Sequence, residues 1–195
     1  GEKISVSGTL GGSSYYQKFE SISGRTTRSS TPNFYNIQYT KDDVIAWTIL
    51  SEKKTQSLYG TAQFEYNKYL FLDFTARNDL SSTLPINNNS YFYPSATTSF
   101  VFSDAFNLKG KVLSFGKLRA SWARVGSDTG PYRLESVYNS AGDYNGLPRV
   151  FISTSLPAKN LKPELTSSFE FGSDLRFFSN RMGIDFTYYK STTKN

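Results

Sequence analysis

The sequence predicts an all-β protein, part of an antiparallel up-and-down transmembrane β-barrel. Three observations carry that prediction. Within 55–102, two arms about Asn67-Lys68 and, after a polar loop, a third arm alternate apolar and polar side chains with a period of two, which is the period of a strand. The same alternation recurs elsewhere, and no helix-period segment of useful length appears. The connections between alternating segments are of two kinds, tight turns at one end and long polar loops at the other. That asymmetry marks an outer-membrane barrel, because soluble meanders rarely use loops beyond about 15 residues.

Seven strands are expected in order. The first, 3–12, sets Ile4, Val6 and Leu10 against Ser5, Ser7 and Thr9. The second and third, 55–66 and 69–79, flank a turn at Asn67-Lys68. Their apolar side runs Leu58, Ala62, Phe64, Tyr66, then Leu70, Leu72, Phe74 and Ala76, opposite Gln63, Glu65, Asp73, Thr75 and Arg77. The fourth, 91–103, places Ala96, Thr98, Phe100 and Phe102 opposite Ser95, Thr97 and Ser99. The fifth, 115–126, opposes Leu118, Ala120 and Trp122 to Lys117, Arg119 and Ser121. The sixth, 165–178, opposes Phe169, Phe171, Leu175 and Phe177 to Glu170, Asp174 and Arg176. The last, 182–194, opposes Ile184, Phe186 and Tyr188 to Asp185 and Thr187. Long loops are expected near 13–54, 80–90 and 127–164. A strand of about eleven residues tilted near 45° spans roughly 25 Å, the height of a barrel's apolar band. Aromatics at strand ends supply candidate interfacial girdles: Tyr66, Tyr69, Phe102, Phe106, Phe177 and Phe178 at the short turns, Tyr188 and Tyr189 toward the other rim.

Composition narrows the chemistry. The 195 residues include 16 Phe and 14 Tyr but 1 Met, a balance that suits pleated, half-buried surfaces. Mean hydropathy is −0.46, and no apolar run approaches the roughly 18 residues of a membrane helix. A barrel stays polar on average because half of each strand avoids lipid. There is no Cys and no His, so thiol nucleophiles, disulfides, zinc fingers and His-based triads or metal sites are excluded. No metal or cofactor is expected. The net charge of +6 is scattered over loops and alternate positions, which argues against nucleic acid and leaves lipopolysaccharide phosphates or an anionic ligand. The opening Gly-Glu-Lys-Ile-Ser-Val lacks a signal-peptide pattern. Either a signal has been removed or this is an internal piece of a longer chain. Seven strands is also an odd number, whereas bacterial single-chain barrels close with even ones.

Enzyme signatures fail one by one. Ser51-Glu52-Lys53-Lys54 and Ser191-Thr192-Thr193-Lys194 spell Ser-x-x-Lys without the companion motifs of serine acyltransferases. Gly110-Lys111 and Gly116-Lys117 lack phosphate-loop spacing. Glu170 and Asp174 sit about 13 Å apart by strand rise, too far for either glycosidase geometry. Asn88-Asn89-Ser90 spells a glycosylation acceptor, which carries little in an Asn-rich loop.

Several runs resemble the SusC/RagA group of TonB-dependent transporters from Bacteroidetes. They are Ser57-Leu58-Tyr59-Gly60, Lys68-Tyr69-Leu70-Phe71-Leu72-Asp73, Arg77-Asn78-Asp79-Leu80-Ser81-Ser82-Thr83-Leu84-Pro85 and Ser90-Tyr91-Phe92-Tyr93-Pro94-Ser95. Ser99-Phe100-Val101-Phe102-Ser103, Gly116-Lys117-Leu118-Arg119-Ala120-Ser121-Trp122, Leu161-Lys162-Pro163-Glu164-Leu165 and Asp185-Phe186-Thr187-Tyr188-Tyr189-Lys190 follow in the family's order. The resemblance covers most of 55–126 and 161–195. Elsewhere it is slight, apart from Pro32-Asn33-Phe34-Tyr35-Asn36.

The resemblance implies a 22-stranded barrel integral to the outer membrane, of which about 7 strands are here, with 1–195 a partial barrel domain. It implies a plug and a TonB-contacting segment, both absent from this sequence, and a SusD-like surface lipoprotein as a lid. The expected function is import of a glycan or oligopeptide nutrient by binding and gated passage, not catalysis. The alternatives are a non-transporting surface β-protein or adhesin, and a passive porin. In a large barrel the polar faces line the lumen, so Glu65, Asp73, Arg77, Lys117, Arg119, Glu170, Asp174, Arg176 and Asp185 are lumen candidates, able to pair across the ladder. Ligand contact is expected from loop aromatics and amides: Tyr35, Asn36, Asn87, Asn89, Tyr132, Tyr138 and Tyr144, with Tyr39 and Asn145 beside them.

Overall fold

A computed structural model describes residues 3–154 and 156–194. Gly1, Glu2, Ser155 and Asn195, which the expected 1–195 domain includes, lie outside the described residues. The chain forms β1 (Ile4–Arg25), β2 (Ile45–Tyr66), β3 (Leu70–Ser81), β4 (Ser90–Phe100), α1 (Phe102–Ala105), β5 (Leu113–Ser127), β6 (Tyr138–Tyr144), β7 (Leu147–Ile152), β8 (Glu164–Phe177) and β9 (Met182–Lys194). Seven strands make one antiparallel sheet in the order β1-β2-β3-β4-β5-β8-β9, and β6-β7 make a separate hairpin. Apart from that hairpin, each strand pairs with its sequence neighbour, which is the up-and-down meander the alternation predicts.

Register carries the two-residue period across every strand boundary. Tyr66 faces Leu70, Phe64 faces Leu72 and Ala62 faces Phe74. Leu70 faces Phe100 and Phe74 faces Ala96, and Ala96 in turn faces Trp122. Trp122 faces Phe169 and Ala120 faces Phe171; Phe171 faces Tyr188 and Leu175 faces Ile184. One side of the sheet therefore carries an apolar belt across all seven strands, and the other carries most of the charges. Packing between layers is minor: the buried apolar side chains among the described residues are Leu84, Tyr91 and Val101. An open sheet with its apolar face uncovered is a wall, not a core.

The strand ends differ from expectation in three places. Much of the expected 13–54 loop is strand: β1 and β2 have 22 residues each, with an unbroken ladder from Ile4↔Tyr66 to Arg25↔Ile45. The connection shrinks to 26–44. Above Thr55, which faces both Tyr15 and Ser81, β2 has β1 as its partner but no longer β3. The projecting part has water on both sides, so the polarity contrast that reveals a strand is lost. Its larger apolar residues fall on both faces, Tyr15, Phe19, Ile45, Trp47 and Ile49 at odd positions and Tyr16, Ile22 and Leu50 at even ones, whereas lower down the apolar residues are even. The even positions there carry Lys18, Glu20, Glu52 and Lys54, with Lys18 and Glu20 paired at 3.2 Å.

The second difference is the 91–103 strand, which stops at Phe100. One helical turn follows, with Val101 and Ser103 buried. The third is inside 127–164, where β6 and β7 pair through an Asn145-Gly146 turn, both residues at positive φ.

The tight connections share one rim. Asn67 and Lys68 are both left-handed, at φ 48° and 61°, and the Tyr69 N–H donates to the Tyr66 carbonyl at 3.1 Å. Between β8 and β9, Phe178, Ser179 and Asn180 also have positive φ. Aromatic rings gather there: Tyr66 on Tyr69 at 5.5 Å, Tyr69 on Phe100 at 6.1 Å and Phe100 on Phe106 at 5.9 Å, all edge to face. Tyr188 closes the apolar run of β9, while Tyr189 belongs to the opposite face.

Candidate functional site

Alternation places all nine expected charges on the polar face of the sheet, and cross-strand contacts join several of them. Arg119 on β5 passes over β8 to reach β9, where it donates to Asp185 at 2.8 Å and to the Thr187 hydroxyl at 2.5 Å. Its Nε lies 3.7 Å from Glu170. The crossing needs Gly172, because a Cβ there would sit 2.6 Å from Arg119 Nε. On β8, Arg176 pairs with Asp174 at 3.4 Å and lies over the Phe115 ring at 5.5 Å. Lys117 faces Asp174 in register, and Asp174 faces Asp185. Lys117, Arg119 and Arg176 thus stand among Glu170, Asp174 and Asp185, so cations offset anions on this part of the wall even where Asp174 meets Asp185. Glu65 and Asp73 occupy the same face on β2 and β3, at Phe71 and Gln63 respectively.

Arg77 belongs to a denser cluster at the long-loop end. Its Nε donates to Asp79 at 2.8 Å, and a terminal nitrogen donates to the Ser57 hydroxyl at 2.9 Å. The Tyr93 hydroxyl donates to the other oxygen of Asp79 at 2.5 Å. The guanidinium lies near 6 Å from the Tyr59 and Tyr93 ring centroids, and Tyr91 stacks on Tyr93. Asp79 is 5% exposed, so this carboxylate is almost out of water and is compensated by Arg77 and Tyr93.

One step higher, Asp128, just past the end of β5, ties the middle of β2 to the end of β3 and the residues after it. Lys53 of β2 donates to it at 2.5 Å, Thr83 at 3.2 Å, and Ser81 by a short bond. Burial pushes the Asp128 carboxyl up, but Lys53, Ser81 and Thr83 outweigh it and hold the group below the usual carboxylate range. Ser82 completes the tie, exchanging bonds of 2.9 Å with the Lys54 backbone. Ser81, Thr83 and Leu84 are all under 5% exposed. The connection after β3 is thereby fastened to β2 and to the segment after β5.

The sequence reading singled out Arg77 in this region and missed Asp79, Tyr91, Tyr93, Lys53, Ser81, Thr83 and Asp128. A signal existed for part of it: Arg77 and Asp79 share a strand face, as do Tyr91 and Tyr93, and an antiparallel register brings the pairs together. Lys53 and Asp128 lie in segments read as loop, so no register linked them.

The loop candidates do not converge. Tyr35 is 92% exposed. Asn36 accepts from the Gln38 backbone N–H at 2.9 Å, a local turn bond. In the same 26–44 connection, Tyr39 packs edge to face on Phe34, and Arg28 with Thr27 lowers the Asp42 carboxyl to about 2. Asn87 lines a cavity on the apolar side of the sheet, and the Asn89 carbonyl accepts from Ser81 N–H. The Tyr132 hydroxyl accepts from Glu52 N–H at 3.2 Å, bringing the 128–137 segment against β2. Tyr132 also lines a cavity of about 440 Å³ formed within the 129–161 stretch. Tyr138 and Tyr144 are exposed on the β6-β7 hairpin, Tyr144 beside the Arg149 guanidinium. Asn145 serves the hairpin turn. Among the described residues no cluster of three or more acidic side chains is placed to hold a metal ion.

Comparison with known proteins agrees with this architecture. The family described as TonB dependent receptor-like, beta-barrel, matches residues 2–195. TonB-dependent receptor P3 of Formosa agariphila is 33% identical over 155 residues, covering 75% of this chain and 15% of that protein. Structures of the RagAB peptide transporter superpose over 99% of this chain with a TM-score of 0.85 at 22% identity, and the open-open state of the importer gives 0.82. This chain spans 22% of those solved chains. The chain belongs to the TonB-dependent receptor-like β-barrel family, as a seven-stranded part of the barrel among the described residues.

Proposed function

We propose that this chain is a wall segment of an outer-membrane importer that binds a glycan or oligopeptide at its external face and passes it inward. The observation that carries the reading is the seven-strand sheet with an apolar belt on one face and most of its charges on the other. With no second layer over the apolar face among the described residues, lipid on one side and a polar interior on the other suit such a sheet. The apolar face then contacts lipid, and Glu65, Asp73, Arg77, Lys117, Arg119, Glu170, Asp174, Arg176 and Asp185 line the lumen. The short-turn rim faces the periplasm, and the loops near 26–44, 82–89 and 128–163 face outward.

The mechanism is binding followed by gated passage, with no covalent step. TonB acts through a plug carried elsewhere in the full transporter, and a SusD-like lipoprotein covers the mouth. The compensated polar wall suits this role, because opposite charges held by one another leave no strong trap for passing cargo. The peptide named for the RagAB neighbours supports the oligopeptide half of the substrate class.

The test is uptake of labelled oligopeptides and oligosaccharides by cells producing the complete transporter, with and without TonB. TonB-dependent uptake of either class is expected. Ion conductance without TonB dependence would mark a passive porin, and surface attachment without uptake would mark an adhesin.

A further inference from the structure

The apolar face ends, at the long-loop rim, in an open cavity of about 590 Å³. Arg124, Lys162 and Lys194 line it together with the amides of Asn87 and Asn88 and the hydroxyls of Ser90, Ser167 and Thr192. Among the described residues no carboxylate lines it. Parity places Ser90, Arg124, Ser167, Thr192 and Lys194 on the side of the sheet that carries the apolar belt, and the others line the same cavity. Arg124 faces Ser167 in register, and Ser167 faces Thr192. Two residues lower on the same strands come Trp122, Phe169 and Lys190, and then Phe171 and Tyr188. Arg124 lies 5.9 Å from the Trp122 ring centroid. The arrangement is a cationic, hydrogen-bonding dish set directly above aromatic side chains that point into hydrocarbon.

We propose that this dish holds the phosphate-bearing headgroup of an outer-leaflet lipid, whose acyl chains lie on the aromatic belt below. Two features select this occupant. The cations stand on the outward face, where lumen cargo does not pass, and they sit where a lipid's phosphate lies relative to its chains. Long Lys and Arg side chains at the end of a membrane-spanning strand reach naturally to that level. The amides and hydroxyls supply donors and acceptors that suit a sugar-containing headgroup. Attraction of this kind is worth several-fold in affinity for each basic residue near an anionic surface.

The inference rests on the lipid-facing assignment made above, and its test keeps the two separate. The complete transporter is purified in a zwitterionic detergent, and retained lipid is counted by native mass spectrometry. The probes are bisphosphorylated lipid A, its dephosphorylated form and inorganic phosphate. Wild-type protein is expected to retain the phosphorylated lipid in preference to the dephosphorylated one. Arg124→Gln is expected to weaken retention about fivefold, and each further change, Lys162→Gln and Lys194→Gln, by about the same factor. Lys111→Gln, beyond the opposite end of β5, should leave it unchanged. Undiminished retention by the folded triple variant would overturn the proposal. So would displacement of the lipid by inorganic phosphate at equal concentration, which would mark a soluble-anion site. Were Leu72→Arg to enter vesicles as readily as wild type, the lipid-facing assignment itself would fall, and this inference with it. If Leu72→Arg blocks entry while the triple variant keeps its lipid, the headgroup site alone fails.

Discussion

Arg119 and Gly172 behave as one device: the missing side chain on β8 is the passage through which a guanidinium on β5 reaches Asp185 on β9. Gly172→Val is therefore expected to cost more than a strand glycine replacement ordinarily does, because it also severs the Arg119 bonds. Lower recovery of heat-modifiable barrel on refolding into detergent would show it, and Arg119→Met combined with Gly172→Val should lose less than the sum of the two. Asp79 offers a second case. Arg77→Met leaves that carboxylate buried without its cation, at a cost of about 3 kcal/mol in urea unfolding, whereas Arg77→Met with Asp79→Leu should recover part of the loss. The Asp128 tie adds a pH dependence whose sign follows from its lowered carboxyl. Its contribution is fully present above the ordinary carboxylate value of about 4 and fades as pH falls through the depressed folded value. Hydrogen exchange at 81–89 should thus be slow at pH 7 and speed up in strong acid. Asp128→Asn should already exchange faster at pH 7, by an amount equivalent to about 1–3 kcal/mol. These ties were mostly illegible in the sequence. Arg77 stood out because it falls on the polar face of an alternating strand, but a carboxylate in a loop carries no mark of the lysine it will meet.

At the level of strands and turns, the alternating arms around Asn67-Lys68 were readable because one side of each strand is apolar and the other is not. The turn itself demands two left-handed residues, and Lys68 fills a place that favours glycine. Lys68→Gly is expected to stabilise the β2-β3 hairpin by up to about 1 kcal/mol, measured as a shift in the unfolding midpoint. The upper halves of β1 and β2 hid from the same reading, because apolar and charged residues are mixed where both faces meet water. The β6-β7 hairpin hid for a different reason. Asn145-Gly146 is a strong two-residue turn signal, yet the flanking Tyr144 and Leu147 lack clean alternation, and Tyr144 and Asn145 were weighed as ligand contacts. A turn dipeptide outweighs its neighbours' chemistry, and here it decides what Asn145 does.

Across the whole molecule, the sheet is held at one depth by the boundary between its two kinds of face. A charge on the belt should be costly and one on the opposite face nearly free: Leu72→Arg is expected to lose about 2–4 kcal/mol of membrane folding stability, while its neighbour Asp73→Asn stays near wild type. Folding titrations in vesicles measure both. That contrast was legible from periodicity alone, whereas the number of strands beyond β1 and β9 was not, since each edge strand pairs on one side among the described residues. The arrival of charges on the even side of β1 and β2 adds a consequence of its own. Below Gly12 and Leu58 the even residues are oily, and above Ser14 and Gln56 the same side turns to Tyr16, Lys18, Glu20, Glu52 and Lys54. Sinking the barrel by two rungs would press toward hydrocarbon a lysine and a glutamate that now stay wet; lifting it would strip lipid from Leu10 and Leu58. On the lipid-facing assignment proposed above, the long hairpin is a float line that marks where the membrane surface stands and resists vertical drift of the barrel.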